Sequence, residues 1–385
     1  MLLPAPPRYG TADVSLLLPE AAAAVTGREQ PLLGLPTGIR RVILLVVDGL
    51  GARQLAAHAA IAPVLSGARH AVLDAVYPTT TATNLTSIGT GLPPGEHGLV
   101  SYSLAVPDDD RPLITLTWSW QRQDLDLDAR DTVVPERFQP RPTAFERATA
   151  AGIRAVRVLR PEFTTSGLTR AGLRGGEVRT ATGREPTIAA ALAAAAEQDT
   201  PTIVYAHHGD LDAIGHLTGP GSEPWCEELA AVDAAVADAA EHLGPDTALL
   251  VTADHGMVRV AEQGFVELAD DPAWLDGVRV LTGDGRCRQL HVHPGAAQDV
   301  LDAWRQRCGE HADVLTREQA ITAGWFGPHI ADHVRPRIGE VVVSATTDRS
   351  WVHRDLDLFG GRLPGQHGAL TRDEVEVPLI ALIPD

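Results

Sequence analysis

Six acidic and imidazole side chains have the types and spacing of metal ligands. Each follows an apolar run or lies beside a glycine-rich turn, and the six are Asp48, Asp212, His216, Asp254, His255 and His367. An isolated Asp after a strand is usually a turn or helix-cap residue. The joint occurrence of all six favours a dinuclear site with mixed imidazole and carboxylate ligands, which suits zinc first, with manganese or iron as alternatives.

A run of threonines supplies hydroxyl groups that such a site can activate. The candidates are Thr79, Thr80, Thr81 and Thr83. A Thr at a strand-to-helix turn is commonly a helix N-cap. A hydroxyl bound to a divalent metal, however, has its pKa lowered enough to attack phosphorus. Asn84 lies one helical turn after Thr81, so its amide is expected to donate to a non-bridging oxygen as the transition state forms.

Predicted strands alternate with helices along most of the chain. The run Val42–Val47 is entirely apolar and ends at Asp48, as expected of a central parallel strand buried on both faces. Further strands are predicted at Ala71–Val76, Arg154–Leu159, Thr202–Ala206, Thr247–Thr252 and Pro378–Ile383, and helices at 12–27, Ile188–Glu197 and Glu227–Leu243. This order predicts an α/β fold with a doubly wound, mostly parallel sheet, whose carboxyl edge receives ligands.

Two segments interrupt this alternation. A strand, a helix and a strand are predicted at Arg288–Val292, Ala296–Cys308 and Glu340–Ser344. Residues 275–345 are therefore expected to form a small α+β cap insertion, and residues 1–274 and 346–385 the core. Residues 103–150, rich in Asp, Arg, Pro and Trp, are expected to pass over the site.

The charge balance limits the binding partners. The chain has 385 residues and a formal net charge of −18, and all 32 of its cationic side chains are Arg. Such an acidic chain is unsuited to binding a nucleic-acid duplex or an anionic membrane surface. If the substrate is anionic, bound metal ions are expected to hold it.

Cysteine usage and hydropathy indicate a location inside the cell. The three cysteines, Cys226, Cys287 and Cys308, lie far apart and form no C-x-x-C pair. A low, odd number of cysteines suits a reducing cytosol. Because the sequence has neither an apolar run of about 18 residues nor the apolar core of a signal peptide, we expect a cytoplasmic protein without a membrane span.

Taken together, the motifs resemble the alkaline phosphatase superfamily and, within it, the type I phosphodiesterase/nucleotide pyrophosphatase family. The family's P-T-x-T-x-x-N, T-G-x-x-P-x-x-H-G, D-x-x-G-H-x-x-G-P, D-H-G-M and G-x-H-G elements are matched in that order by Pro78–Asn84, Thr90–Gly98, Asp212–Pro220, Asp254–Met257 and Gly365–Gly368. The resemblance covers nearly the whole chain and implies an alkaline-phosphatase-like fold.

The resemblance also implies a role for each candidate residue. One of two divalent metal ions, Zn²⁺ in first place, is implied to bind Asp212, His216 and His367, and the other Asp48, Asp254 and His255. Thr81 is implied to be the fourth ligand of the second ion and the nucleophile. Asn84 is implied to be a donor on the oxyanion side.

Two departures from the family qualify the implied function. The family often has an aromatic residue just after the nucleophile, where this chain has Ala82, and often a Lys where it has Thr80. The resemblance implies a metal-dependent phosphodiesterase or nucleotide pyrophosphatase of the bacterial, cytosolic type, acting on a small phosphorylated substrate. A phosphomonoesterase or phosphonate hydrolase, with Arg160 among its cations, is the first alternative. A non-catalytic metal-binding module is the second, although neither the nucleophile nor a ligand is missing.

Overall fold

In a computed structural model, the chain folds around a seven-stranded central sheet. The structure describes residues 3–107, 109–121, 127–357 and 361–384. From one edge to the other, the strands are Arg69–Asp74, Glu376–Leu382, Thr247–Thr252, Arg41–Val47, Thr202–His208, Arg154–Leu159 and Glu177–Thr180. All neighbours run parallel except Glu376–Leu382, which is antiparallel to the strands on both sides. The predicted mixed α/β fold with a mostly parallel sheet is confirmed.

The central strands coincide with the apolar runs that predict them. Arg154–Leu159 and Thr247–Thr252 have the predicted bounds, and the first strand is Arg41–Val47. Its residues from Val42 onward are all buried, because the strand has a paired neighbour on each side and packed layers on both faces. The strand predicted at Thr202–Ala206 continues to His208.

Three other strands of the sheet differ from the expectation. Strand Arg69–Asp74 begins and ends two residues before the predicted Ala71–Val76. The edge strand Glu177–Thr180 is not predicted, because its residues alternate between half-buried and exposed and form no apolar run. The last strand is Glu376–Leu382 rather than Pro378–Ile383, and it runs against the others. An apolar run indicates burial but carries no information on strand direction.

Helices accompany the sheet, and Arg184–Ala196 packs directly on strands Thr202–His208 and Arg41–Val47. The α-helices are Leu17–Ala24, Ala52–Ala57, Pro63–Gly67, Thr81–Thr90, Pro94–His97, Pro135–Phe138, Ala144–Ala150, Gly167–Gly172, Arg184–Ala196, Asp210–Thr218, Glu223–Glu241, Ala297–Cys308, Arg317–Thr322 and Arg372–Val375. The helix predicted at 12–27 is a 3₁₀ turn, Val14–Leu16, followed by the α-helix from Leu17. Among the described helices, none combines the length and apolar character needed to cross a bilayer.

Within the described residues, four smaller sheets accompany the central one. One is four-stranded and antiparallel, in the order Val278–Asp284, Cys287–Val292, Val341–Ala345 and Ala312–Thr316. Helix Ala297–Cys308 packs its apolar face on this sheet. The strands all fall within residues 275–345, but the division of the chain into core and cap remains a prediction.

The expected excursion at 103–150 contains the second four-stranded sheet. Its strands are Ser103–Ala105, Pro112–Ile114, Ser119–Trp120 and Leu127–Asp128. Asp108 and residues 122–126 of this segment lie outside the described residues. The remaining two sheets are two-stranded and join Val258–Arg259 to Gly365–Gln366, and Phe265–Glu267 to Ser350–Val352.

Candidate metal centre

The candidate ligands converge at the carboxyl edge of three adjacent parallel strands. Asp48 follows Arg41–Val47, and Asp254 lies just after Thr247–Thr252. Asp212 and His216 lie on helix Asp210–Thr218, which follows Thr202–His208. Because parallel neighbours end at the same edge, residues far apart in the sequence meet there. The structure brings the six predicted ligands into two groups of three.

The first group consists of Asp212, His216 and His367. The Nε2 atoms of the two histidines are 3.1 Å apart, and Asp212 Oδ2 is 3.4 Å from Nε2 of His216. Each histidine uses Nδ1–H to donate to a backbone carbonyl, His216 to Gly365 (2.9 Å) and His367 to Thr79 (2.7 Å). In the neutral rings, both Nε2 lone pairs therefore face each other, an arrangement that favours a cation between them.

The second group consists of Asp48, Asp254 and His255. His255 Nε2 lies 3.5 Å from Asp48 Oδ1 and 3.5 Å from Asp254 Oδ2. Nδ1–H of His255 donates to the Gly256 carbonyl at 3.1 Å, which again leaves the Nε2 lone pair directed into the group. Thr81 Oγ1 lies 3.1 Å from the same Nε2 atom. Of the predicted hydroxyls, Thr81 is thus in direct contact with a candidate ligand.

Three carboxylate oxygens in these groups are buried without a donor. Within the described part of the chain, no hydrogen bond reaches Asp48 Oδ1, Asp212 Oδ1 or Asp254 Oδ2. Burial, together with the charges of Asp254 and Asp212, raises the pKa of Asp48 well above its usual range. A buried carboxylate without a partner is costly, and a divalent cation removes that cost. The residues present therefore fit two metal ions.

The two groups lie side by side. The rings of His255 and His367 stack with centroids 3.7 Å apart, and burial together with the neighbouring His255 and His216 lowers the pKa of His367 well below its usual value. Gly49 separates Asp48 from the Asp212 side chain. Its φ is +75°, and a Cβ there would lie 3.0 Å from Cβ of Asp212. Only glycine allows this approach without strain.

Thr79 joins the threonine segment to the loop that carries His367. Its Oγ1 donates to the Ala369 carbonyl (2.9 Å) and accepts from the Gly368 amide (2.9 Å). Its carbonyl accepts from His367 Nδ1, as described above. Thr79 is fully buried. These contacts give it a structural role and hold a ligand of the first group at a fixed position relative to Thr81.

The antiparallel sheet formed by strands within residues 275–345 supports the loop that carries His367 from the other side. Arg286 forms a bidentate ion pair with Glu374, with N–O distances of 2.7 and 2.8 Å, and both side chains are fully buried. Glu374 also accepts from the Ala369 amide at 3.0 Å. The Asp284 carboxylate occupies the space that a Cβ of Gly368 would need. The hairpin between Asp284 and Cys287 therefore fixes the backbone just after His367.

The Asn84 side chain contacts backbone groups ahead of Thr81, in contrast to the expectation that its amide donates to a substrate oxygen. The side chain is completely buried, and its Oδ1 accepts from the Val76 amide at 2.7 Å. Its Nδ2 lies 3.2 Å from the carbonyl oxygens of Val76, Pro78 and Thr80. Since backbone carbonyls occupy both amide protons, none is left for a substrate oxygen. Asn84 instead holds the chain segment that leads to Thr81.

Three further histidines, His97, His207 and His208, lie in or near the motifs, and His207 contacts the candidate centre. His97 is buried against Ser87, and burial lowers its pKa to about 3. His208 contacts Glu228 at 2.8 Å, away from the ligands. His207 contacts Asp48 at 3.1 Å, a partner that sequence analysis did not identify. The strict alternation of side chains along the strand could have signalled it, because His207 and His208 must face opposite ways.

Comparisons with known proteins identify one matching family model and several proteins of similar fold. The model of the family named type I phosphodiesterase / nucleotide pyrophosphatase matches residues 42–369. Murine ectonucleotide pyrophosphatase/phosphodiesterase 5 superposes with a TM-score of 0.65 at 17% identity, over 89% of this chain and 88% of that chain. An inactive form of that murine protein, in complex with AMP, gives a TM-score of 0.66 at 17% identity, over 90% of this chain and 88% of that one.

A bacterial enzyme has a similar fold. Phosphonoacetate hydrolase from Sinorhizobium meliloti 1021, in complex with phosphonoformate, gives a TM-score of 0.66 at 20% identity, over 90% of each chain. No curated protein sequence matches this chain. At these identities, the likeness to solved structures shows a shared fold.

The buried position of Asn84 leads to a stability prediction. Asn84→Leu keeps the branched shape and the number of heavy atoms of the side chain but leaves the Val76 amide and several carbonyls without a partner. We expect the free energy of unfolding of chelator-treated protein to fall by about 2–4 kcal/mol, as measured by urea denaturation. Thr86→Val is the matched control, because Thr86 is equally buried on the same helix and donates only to a carbonyl within that helix. Unchanged stability with a reduced kcat for Asn84→Leu would restore the role in the transition state.

Proposed function

We propose a function for this chain, which belongs to the type I phosphodiesterase/nucleotide pyrophosphatase family. It hydrolyses small phosphodiesters or pyrophosphates with Thr81 as nucleophile at a dinuclear metal centre. Family membership makes the chain a phosphoric ester hydrolase. The observation that carries the finer proposal is the contact of Thr81 Oγ1 with His255 Nε2, at 3.1 Å, beside buried carboxylates without donors.

The proposed ligands are those of the two groups described above. Two divalent ions bound there would lower the pKa of the Thr81 hydroxyl and offset the charge of a phosphoryl group. The mixed imidazole and carboxylate ligands favour Zn²⁺, with Mn²⁺ or Fe as alternatives. All three cysteines are free thiols, which supports the proposed cytoplasmic location.

Thr81 is well situated for attack on phosphorus. It is the first residue of helix Thr81–Thr90, where unpaired backbone amides and the helix dipole favour a negatively charged group. In the proposed reaction, Oγ1 loses its proton to solvent and bonds to phosphorus, and the leaving group departs with the electrons of its P–O bond. Water then hydrolyses the phosphothreonine and restores the hydroxyl.

The charge of the centre favours a singly charged substrate. The three carboxylates would leave two divalent ions with one excess positive charge, which a phosphodiester anion neutralises. A phosphomonoester dianion would add a further negative charge to a site within a chain of net charge −18. Thr80, which is uncharged and buried, supplies no compensating cation. The diesterase activity is therefore favoured on electrostatic grounds.

A second candidate is a phosphomonoesterase or phosphonate hydrolase, which would need a further cation near the centre, and Arg160 is the cation expected for that role. Arg160 follows strand Arg154–Leu159 at the carboxyl edge of the sheet, and its side chain is 40% exposed. Its guanidinium lies 2.9 Å from Glu162 and 3.7 Å from Asp210, on the helix that carries Asp212. Because two carboxylates already surround Arg160, it offers little net positive charge to a second anionic group.

Replacing the proposed nucleophile should separate chemistry from metal binding. We expect Thr81→Ala to lose at least about 10³-fold in kcat, while both metal sites still fill because three ligands remain at each. Steady-state kinetics and metal content by elemental analysis test this. Thr80→Ala and Thr83→Ala are the controls. If Thr81→Ala retained activity near wild type and a control did not, a neighbouring threonine would be the nucleophile.

Substrate charge should decide the relative rates. We expect kcat/KM for bis-p-nitrophenyl phosphate to exceed that for p-nitrophenyl phosphate in the same buffer and metal. A monoester preference of tenfold or more, about 1.4 kcal/mol in transition-state stabilisation, would favour the second candidate. In that case, Arg160→Gln should reduce monoester turnover more than diester turnover.

A further inference from the structure

His207 and Asp48 lie on the same face of two adjacent parallel strands. Strand Thr202–His208 pairs with Arg41–Val47 so that Val46 is opposite His207. Side chains alternate along a strand, so Asp48 lies on the face of Val46 and therefore on that of His207. The Asp48 amide continues the ladder by donating to the His208 carbonyl at 2.9 Å. The register of the sheet thus fixes the relative position of the two side chains.

The imidazole of His207 contacts only one oxygen of the Asp48 carboxylate. Its Nε2 lies 3.1 Å from Oδ2, and the His207 side chain is 15% exposed. The other oxygen, Oδ1, is the atom that faces His255 Nε2 and has no donor within the described residues. A hydrogen bond donated by His207 Nε2–H to Oδ2 would therefore fix the Asp48 carboxylate and leave Oδ1 directed at His255.

His207 is not itself a member of a ligand group. Of the described side chains, the group around Asp48 includes Asp254 and His255, whose ligand atoms lie within 4.8 Å of one another, and not His207. A hydrogen bond to a ligating carboxylate commonly fixes its orientation, and loss of that bond weakens metal binding.

We propose that His207 is a positioning residue that holds the Asp48 carboxylate, through Nε2–H donated to Oδ2, in the orientation needed to bind a metal ion with Oδ1. This inference rests on the proposed dinuclear centre. It assigns a function to a histidine that lies outside both ligand groups and outside the sequence motifs. A Gln at this position retains an N–H donor, whereas a Leu does not.

The adjacent His208 provides a matched control. It lies at the same strand end but on the opposite face, where its Nε2 is 2.8 Å from Glu228 Oε1. Glu228 is also paired with Arg184 at 2.6 Å. His208 thus has a similar environment, a buried position and a carboxylate partner, but its side chain does not contact the proposed metal ligands.

The test is a titration of metal-free protein with Mn²⁺, followed by electron paramagnetic resonance of the free ion. We expect two sites in the wild type. His207→Leu should weaken one of them by about 10–100-fold and leave the other unchanged. His207→Gln should recover most of the affinity, and His208→Gln should bind both ions as the wild type does. In an Asp212→Asn background, which disrupts the first group, one site should remain. His207→Leu should weaken that remaining site.

Three results would overturn the inference. Wild-type affinity at both sites in His207→Leu would show that Asp48 needs no such support, and an equal loss in His208→Gln would show a general effect of the strand end. A wild type that binds fewer than two ions would overturn the dinuclear centre as well. If His207→Leu does not fold, His207→Gln and His207→Asn carry the test, because the shorter Asn amide cannot reach Oδ2 and should lose affinity where Gln retains it.

Discussion

At the candidate metal centre, hydrogen-bond acceptors face one another without enough hydrogen-bond donors between them. The rest of the structure depends on holding these acceptors together. Three buried carboxylate oxygens have no hydrogen bond within the described residues, and the imidazoles of His216, His255 and His367 direct Nε2 lone pairs at the same space. Two carboxylates with oxygens within 4.8 Å of each other, as in the group of Asp48 and Asp254, repel by at least about 3 kcal/mol at an effective dielectric constant of about 20. Such a cluster is stable when cations occupy it, and the fold holds it together from several directions.

Different parts of the chain hold the candidate ligands in place. Parallel strands bring Asp48, Asp212 and Asp254 to one edge of the sheet. The His367 loop arrives from the far end of the sequence and is hydrogen-bonded to Thr79 on one side. On its other side, the buried ion pair of Arg286 with Glu374 connects the loop to the antiparallel sheet within residues 275–345. Breaking a buried pair leaves an uncompensated charge, which typically costs about 3–5 kcal/mol, so this connection is a strong one.

The sequence predicts the buried strands well, because an apolar run is a local pattern, whereas the grouping of the six candidate ligands is expected only from the resemblance to a family. The run Val42–Val47 indicates a central strand by composition alone, and Asp48 follows it directly. The reversed direction of Glu376–Leu382 and the polar edge strand Glu177–Thr180 have no comparable local signal. Direction and edge position result from packing with distant segments.

The role of Asn84 shows a further limit of motif reasoning. Helical spacing places Asn84 one turn after Thr81, but spacing does not reveal which groups compete for its amide. In the folded chain, the carbonyls of Val76, Pro78 and Thr80 surround it, and the backbone ahead of the helix takes up all of its hydrogen bonds. The contact between His207 and Asp48 likewise follows from the register of two strands, which a single sequence does not specify.

Anomalous diffraction from crystals grown with Zn²⁺, recorded on both sides of the zinc absorption edge, tests the central claim most directly. We expect two strong anomalous peaks. One should lie within about 2.0–2.2 Å of ligand atoms of Asp212, His216 and His367. The other should lie similarly close to those of Asp48, Asp254 and His255 and beside Thr81 Oγ1. The absence of a peak at either group, with the same side chains in place, would contradict it.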